Sequence, residues 1–114
     1  MIKIVEQSML YDFYGELLNE HQKEIYEDVV FNDMSPSEIA REEGISRQGV
    51  HDLIKRCDKI LKDYEEKLHL VRKFTDTRND VNQIKTLISE FRNTNDLEIV
   101  NKIEKTTDKI LSDI

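Results

Sequence analysis

The sequence is poor in residues that interrupt helices and in residues that cross-link chains. It contains three glycines, one proline and one cysteine among 114 residues. The tight turns of an all-β fold depend on glycine and proline, so their scarcity argues against such a fold and favours helices. The single Cys57 excludes an internal disulfide framework and is typical of a protein kept in a reducing compartment.

Several features that would indicate a membrane protein, an exported protein or an enzyme are also missing. No run reaches the roughly 18–20 apolar residues that a membrane span needs. The first stretch, MIKIVEQSML, carries Lys3 and Glu6 among its apolar residues, which is unlike a signal peptide. The sequence shows no metal-ligand cluster, phosphate-binding glycine loop or nucleophile elbow. We therefore expect a cytoplasmic protein that is not an enzyme and binds no cofactor and no metal.

Charge is distributed unevenly along the chain, whose net charge is −7. Residues 1–32 hold two Lys/Arg against seven Asp/Glu, whereas residues 71–114 hold eight of each. Residues 46–62 hold five basic residues against two acidic ones, a local charge of +3. Positive charge is thus concentrated on one predicted helix. This is compatible with a phosphate contact there and argues against a generally basic nucleic-acid-binding surface.

Apolar residues recur at steps of three and four, the period of amphipathic helices. A first helix is predicted over residues 2–18, and Asn19 can begin a second helix. The stripe of the first helix consists of Ile2, Val5, Met9, Leu10, Phe13, Leu17 and Leu18. Aromatic residues in and after this stripe can be interpreted as a stacking platform, although their helical spacing is more typical of a core. These aromatic residues are Tyr11, Phe13, Tyr14, Tyr26 and Phe31.

The middle of the chain contains two helix starts and one glycine turn. Ser35 is predicted to cap a short helix, with Pro36 at its first position and Glu38 completing a capping box. Gly44 is predicted to end this helix in the left-handed conformation. Ser46 then begins a helix that no proline or glycine interrupts after residue 49, so we expect a long helix reaching about Phe74.

The last third of the chain is predicted to form a helical hairpin around a turn at residues 93–96. Its two apolar stripes are too thin for independent stability, so they must pack on the long helix, on each other or on a second subunit. The stripes consist of Val81, Ile84, Leu87, Ile88 and Phe91, and of Val100, Ile103, Ile110 and Ile114. We therefore divide the chain into a domain at residues 1–74 and a helical extension at residues 75–114. The extension is predicted to support a homodimer.

The spacing around Gly44 is that of a helix-turn-helix motif. Ala40 supplies the small residue where the two helices cross, and Gly44 tolerates the positive φ of the turn. Apolar residues at the register positions are expected to lock the two helices together; they are Ile39, Ile45, Val50 and Leu53. Glu43, directly before the turn, departs from this pattern because that position is usually apolar.

The second helix of this motif is predicted to contact nucleic acid. Arg47 suits guanine or phosphate, Gln48 suits adenine, and His51 suits either a phosphate or a base edge. Ser46 and the free amides of the helix start suit a backbone phosphate. The complete predicted interface is Ser46, Arg47, Gln48, His51, Lys55 and Arg56. The alternative is an ordinary solvated helix surface, because Asp52 lies among the basic residues.

A family resemblance covers residues 10–74, which read LYDFYGELLNEHQKEIYEDVVFNDMSPSEIAREEGISRQGVHDLIKR and CDKILKDYEEKLHLVRKF. Through DFYGELL, SEIA, ISRQGV, IKR and DYEEKL, this stretch resembles the YlxM family, small bacterial proteins commonly encoded beside the signal recognition particle GTPase and its receptor. The family's helix-turn-helix is similar to region 4 of bacterial sigma factors, which reads a promoter element. The resemblance implies an all-α fold, with a three-helix core like that of winged-helix domains but without a wing.

Two functions follow from these observations. The resemblance implies a regulatory protein of the signal recognition particle pathway, and the helix-turn-helix predicts that duplex DNA is bound through the second helix. The alternative is an acidic helical adaptor that binds the signal recognition particle GTPase or its RNA without reading DNA. The acidic first third of the chain favours basic partners and therefore supports this alternative.

Overall fold

The computed structural model describes residues 4–114, and these form six α-helices and one 3-10 turn without any strand. The helices are α1 (Ile4–Tyr14), α2 (Glu20–Val30), α3 (Pro36–Glu43), α4 (Arg47–Leu68), α5 (Leu70–Thr94) and α6 (Leu97–Asp113), with the 3-10 turn at Gly15–Leu17. The predicted all-α class is therefore confirmed. The chain divides into two compact units, Met1–Val71 and Arg72–Ile114.

The first unit packs α1, α2 and α3 against α4 around one apolar core. Its fully enclosed side chains come from all four helices, so no helix of this unit holds its position alone. The buried core residues are Leu10, Tyr14, Leu18, Ile25, Tyr26, Ile39, Val50, Ile54, Cys57 and Leu61.

The core side of α1 differs from the predicted stripe. Val5, Phe13 and Leu17 are exposed, and Ile2 lies outside the described residues. Two causes account for the difference. The buried line of α1 begins at the polar residue Gln7, and the backbone changes to 3-10 geometry at Gly15, which rotates the residues that follow.

A buried polar cluster joins three helices of the first unit. The Asp58 carboxylate on α4 accepts a hydrogen bond of 2.6 Å from the Tyr26 hydroxyl on α2. It also accepts bonds of 3.0 and 3.3 Å from the Gln7 amide on α1. The three residues are buried, so these bonds replace the water that the carboxylate loses on folding. The core thus includes a directional contact that fixes α4 relative to α1 and α2.

Two of the predicted helix starts are capped as the sequence indicates, with one difference. Asn19 and Gln22 form a complete capping box at α2, with bonds of 2.8 and 3.0 Å. Ser35 accepts a bond of 3.2 Å from the amide of Glu38 at α3. The Glu38 carboxylate accepts from the Ser35 hydroxyl at 3.3 Å instead of returning to the backbone, so the expected box is only half formed.

The long helix predicted to reach Phe74 ends earlier. α4 stops at Leu68 because His69 adopts the left-handed conformation, with φ 56° and ψ 28°. α5 begins directly afterwards, so the continuous rod expected from the sequence is two helices with a one-residue break.

Long-range hydrogen bonds support this break. The Tyr14 hydroxyl accepts a bond of 3.1 Å from the amide of Leu70 and donates one of 2.5 Å to the Glu65 carboxylate. The same carboxylate oxygen accepts a bond of 2.9 Å from the amide of Val71. Two side chains from earlier helices therefore satisfy the first amides of α5, which a helix start leaves without carbonyl partners.

The second unit is an antiparallel hairpin, as predicted. Asn95 takes a left-handed conformation with φ 54°, and Asp96 caps α6 by accepting a bond of 3.0 Å from the Glu98 amide. Far from this turn, Lys109 donates a bond of 3.0 Å to Asp80, which fixes the two helices side by side. The buried residues of this unit are Asp80, Leu87, Ile99 and Thr106. The rest of the two predicted stripes is half-buried or exposed.

Candidate nucleic-acid interface

The turn of the helix-turn-helix has the geometry predicted for it. Gly44 has φ 67° and ψ 31°, and its amide donates to the carbonyl of Ala40. The Ile45 amide reaches the same carbonyl at 3.1 Å. A side chain at this left-handed position would be strained, so glycine allows α3 to end sharply and α4 to begin three residues later.

Packing across the turn follows the predicted register except at one position. Ile39 and Val50 are fully buried, and Ala40 and Leu53 pack at the edge of the core. Ile45, expected to lock the helices from inside, is instead 40% exposed. Its side chain lies along Gly49, where an added Cβ would be 3.7 Å from the Ile45 methyl. Ile45 therefore lies against the first turn of α4 and remains partly in contact with solvent.

The polar residue before the turn has a specific partner. The Glu43 carboxylate lies 3.1 Å from Nε2 of His21, which belongs to α2. This contact joins α3 to α2 at the margin of the motif, where an apolar residue is usual. Glu43 thus replaces an apolar contact between α3 and α2 with a polar one, and the turn at Gly44 keeps its predicted geometry.

The start of α4 is capped and also retains open amides. The Ser46 side chain accepts a bond of 3.0 Å from the Gly49 amide, and the Ser46 carbonyl accepts one of 3.1 Å from the Val50 amide. Within residues 4–114 the amides of Arg47 and Gln48 have no such partner. Because an anion accepts readily from such amides at the positive end of the helix dipole, this end suits a phosphate group.

The structure places all six predicted interface residues at the surface of the first half of α4. His51 is half-buried and the other five are exposed. Arg47, Lys55 and Arg56 form no ion pair with a carboxylate anywhere in the part of the chain that is described. Their charges are therefore available to a polyanion without first breaking an internal contact.

Gln48 is engaged within the helix. Its side-chain amide donates a bond of 3.0 Å to the carboxylate of Asp52, one turn further along. Gln48 must release this bond before it can make a bidentate contact to adenine. The pair also holds a negative charge among the cations, which lowers the attraction for phosphate.

One exposed cation on the first helix of the motif was not among the residues predicted from the sequence. Arg41 is exposed on α3 and has no ion-pair partner among residues 4–114. The first helix of such motifs crosses the nucleic-acid backbone, so a cation on its outer side is placed for a phosphate. The helical position of Arg41, two residues after buried Ile39, is the signal that could have identified it.

The aromatic residues form a core and its border. Tyr14 and Tyr26 are fully buried, while Tyr11 stacks on Tyr26 with ring centroids 5.7 Å apart. Tyr11 also lies edge-on to Phe31 at 5.4 Å. The ring of Tyr11 covers Gly15 so closely that a Cβ there would be 2.8 Å away. The rings thus pack on one another and on the backbone, which agrees with their interpretation as core residues.

Cys57 is fully buried in the core. Burial raises the pKa of its thiol to about 11, and the nearby Asp58 charge acts in the same direction. The thiol therefore remains protonated at neutral pH, the opposite of what a nucleophile needs. Within residues 4–114 there is also no group of three or more metal-ligating side chains, and no helix combines the length and apolarity needed to cross a membrane.

Comparison with known proteins gives a family for this architecture. Residues 1–102 match the family model UPF0122, described as "Putative helix-turn-helix protein, YlxM / p13 like". A UPF0122 protein of Thermoanaerobacter sp. (strain X514) is 42% identical over 104 residues, which cover 90% of this chain and 89% of that protein.

Two other relatives give similar values. A UPF0122 protein of Bacillus cereus (strain AH187) is 40% identical over 105 residues, covering 90% of this chain and 96% of the relative. One of Caldanaerobacter subterraneus subsp. tengcongensis is 47% identical over 81 residues, covering 71% of this chain and 69% of the relative. Both similarities extend over more than two thirds of each chain.

Proposed function

Because this chain belongs to the UPF0122 family of YlxM-like helix-turn-helix proteins, we propose that it is a regulator that binds duplex DNA through the start of α4. One observation carries the proposal. A sharp glycine turn presents a helix start at which the amides of Arg47 and Gln48 and three cations have no internal partner among the described residues. This function requires neither catalysis nor a cofactor, and we place it in the cytoplasm.

The proposed contacts divide into positioning and reading. The Ser46 end of α4 and the side chains of Lys55 and Arg56 bind phosphates, which fix the register of the helix in the major groove. Arg47 pairs with guanine or with a phosphate, and Gln48 pairs with adenine after releasing Asp52. His51, half-buried beside them, contacts a phosphate or a base edge.

The charge of the molecule limits the affinity of a single copy. The three unpaired cations of α4, with Arg41 on α3 as a fourth, correspond to a salt slope of roughly −3 to −4, since each neutralised phosphate contributes roughly −0.9. The net charge of −7 repels the same polyanion. We therefore expect weak binding by one copy and infer that the chain acts as a homodimer presenting two α4 helices.

The test is duplex binding measured by fluorescence anisotropy between about 50 and about 200 mM salt. The Arg47→Ala plus Lys55→Ala variant should bind about 10–100-fold more weakly at the lower salt, with a salt slope reduced by about two per copy. The matched control is Lys102→Ala plus Lys105→Ala, which makes the same change in charge on α6. If both variants bind like the wild type, or lose affinity equally, direct contact through α4 is wrong.

An acidic surface on α2 supports the second candidate function. Glu20, Glu24 and Glu27 are exposed, and the single cation among them, Lys23, lies 2.8 Å from Glu16 and 3.8 Å from Glu20. This surface favours a basic protein partner. Together with the YlxM resemblance, it supports an adaptor that binds the signal recognition particle GTPase and modulates protein targeting, whereas binding of the particle's RNA would need a different, basic surface.

Purified components separate the two functions. The adaptor predicts co-purification with the signal recognition particle GTPase, or a change in its GTP hydrolysis, and Glu20→Gln plus Glu24→Gln should reduce either effect. The Arg47→Ala plus Lys55→Ala variant should retain it. The opposite pattern would favour direct DNA binding and count against the adaptor.

A further inference from the structure

The α5–α6 hairpin leaves a row of apolar side chains exposed beside its buried residues. On α5, Val81 directly follows buried Asp80, and Ile88 directly follows buried Leu87. On α6, Val100 directly follows buried Ile99. Each exposed residue is therefore one step, about 100°, around its helix from the side that faces the other helix.

The antiparallel arrangement brings these residues to the same side of the hairpin. One step turns in the same sense when each helix is viewed along its own chain direction. Because α5 and α6 run in opposite directions, equal turns away from their mutual contact point to one common face. Leu111, 65% exposed, extends this face towards the end of α6. We name it the hairpin face, defined by Val81, Ile88, Val100 and Leu111.

The size of the hairpin face suits a dimer interface of modest area. α6 has 17 residues and is about 25 Å long, and two helices side by side are about 20 Å wide. The face is thus roughly 500 Å² on each copy and about 1,000 Å² in total, near the lower limit for a specific interface. The opposite side of α5 carries polar residues such as Gln83 and Thr86 and offers no comparable apolar surface.

Charges of opposite sign border the hairpin face. The outer edge of α5 carries Arg78, Lys85 and Arg92 at intervals of seven residues. The outer edge of α6 carries Glu104 and Asp108. All five are exposed, and none forms an ion pair with any side chain of residues 4–114. The hairpin face therefore has one basic edge and one acidic edge.

We propose that a second copy of this chain covers the hairpin face, with α5 of each copy packed over α6 of the other in an antiparallel four-helix bundle. The apolar rows then share one core, and the basic edge of each copy meets the acidic edge of its partner. Lys85 lies ten residues before Asn95 and Glu104 nine residues after it, so the two are at nearly equal height. They are the pair that this arrangement brings together across the interface.

The charges discriminate between two ways of forming a symmetric pair. A two-fold axis parallel to the helices places α5 over α6, so unlike charges meet. A two-fold axis perpendicular to the helices places α5 over α5, so the cations of both copies meet and repel one another. The arrangement deepens the homodimer of the proposed function but needs no nucleic acid. A negative result in the dimer test therefore does not contradict DNA binding through α4, and a negative result in the DNA-binding test does not contradict the dimer.

Sedimentation of the full chain without nucleic acid tests the apolar contact. The wild type should have twice the chain mass of 13.5 kDa at micromolar concentration. The Ile88→Asp plus Val100→Asp variant should raise the dissociation constant at least about 100-fold, because four carboxylates would enter the shared core. The control, Gln83→Asp plus Thr86→Asp, adds the same charge on the opposite side and should remain dimeric. A monomeric wild type, or a dimer that tolerates the first variant, overturns the proposal.

Charge reversal tests the pairing without altering the apolar core. Lys85→Glu and Glu104→Lys should each raise the dissociation constant about three- to tenfold, and the double variant should restore it. Within one hairpin these residues lie on opposite edges, so restoration reports contact between copies. If Lys85→Glu alone tightens the dimer, α5 packs over α5 and the proposed arrangement is wrong. Helical circular dichroism of every variant checks that the chain remains folded.

Discussion

Removal of the Tyr26 hydroxyl provides a quantitative test of how the first unit holds α4 in place. Tyr26 is fully buried, and its hydroxyl donates to the Asp58 carboxylate at 2.6 Å. A hydrogen bond to a charged group contributes about 1.5–3 kcal/mol. In Tyr26→Phe the carboxylate keeps its bonds from Gln7. We therefore expect the free energy of unfolding to fall by about 2 kcal/mol and Tm by roughly 10 °C for a unit of this size.

Removal of the carboxylate itself should cost more. Asp58→Ala leaves the hydroxyl of Tyr26 and the amide of Gln7 without their acceptor inside the core. Each unsatisfied group costs about 1–3 kcal/mol, so the loss should be about 3–5 kcal/mol. Combined with Tyr26→Phe, the total should be smaller than the sum by about 1–2 kcal/mol, because one change has already removed what the second would break.

Intrinsic fluorescence allows this measurement in the full chain. The sequence has no tryptophan, and its four tyrosines, at positions 11, 14, 26 and 64, all lie in the first unit. Urea unfolding followed by tyrosine emission therefore reports on that unit. Tyr64→Phe is the matched control, because its hydroxyl makes no hydrogen bond within residues 4–114. Equal stability losses in Tyr26→Phe and Tyr64→Phe would refute the assigned role of the buried cluster.

Two further changes probe the turn and the buried thiol. Gly44→Ala should lower the free energy of unfolding of the first unit by about 1–2 kcal/mol in urea, and Gly44→Asn should lower it less. An added Cβ at Gly44 meets no atom within 4 Å, so the expected loss comes from backbone strain at φ 67° alone. An unchanged urea midpoint in Gly44→Ala would contradict that strain. The pKa of Cys57 is raised from 9.0 to about 11, so the folded chain holds this proton more tightly than the unfolded chain. The resulting stability, about 3 kcal/mol, is present below about pH 9 and is lost as the pH rises towards 11. Tyrosines also titrate in this range, so Cys57→Ala should reduce the stability loss at high pH only partly. If the wild type and Cys57→Ala lose stability identically with pH, the thiol does not contribute as assigned.

The sequence predicted those elements whose causes are local. Gly44, Ser46 and Asn19 each act on amides or carbonyls within four residues, so their roles follow from short patterns. The interface residues on α4 were predicted for the same reason, because helical period and one cap determine which of them reach solvent. Five of the six residues are exposed and His51 is half-buried, and their contact with nucleic acid stays a prediction.

Features that depend on distant residues were not predicted. The break at His69 is supported by Tyr14, whose hydroxyl accepts from an amide 56 residues later in the chain. Glu43 pairs with His21, 22 residues away, and Gln7 joins Asp58 across 51 residues. A polar residue at an apolar position of a helical pattern is only a departure from that pattern until its partner is known. Sequence periodicity contains no information about which distant side chain that partner is.

The distribution of charge also predicts that one copy binds DNA weakly, and it limits how the proposed dimer could bind more tightly. Pairing doubles the unpaired cations of α4, but it equally doubles the net charge of −7 that repels the duplex. Charge alone therefore gains little from a dimer. The gain must come from simultaneous engagement of two α4 helices, since the second contact forms at a high effective concentration once the first is made. A variant dimer with only one intact α4 should then bind almost as weakly as a single copy, although its charge hardly differs from that of the wild type.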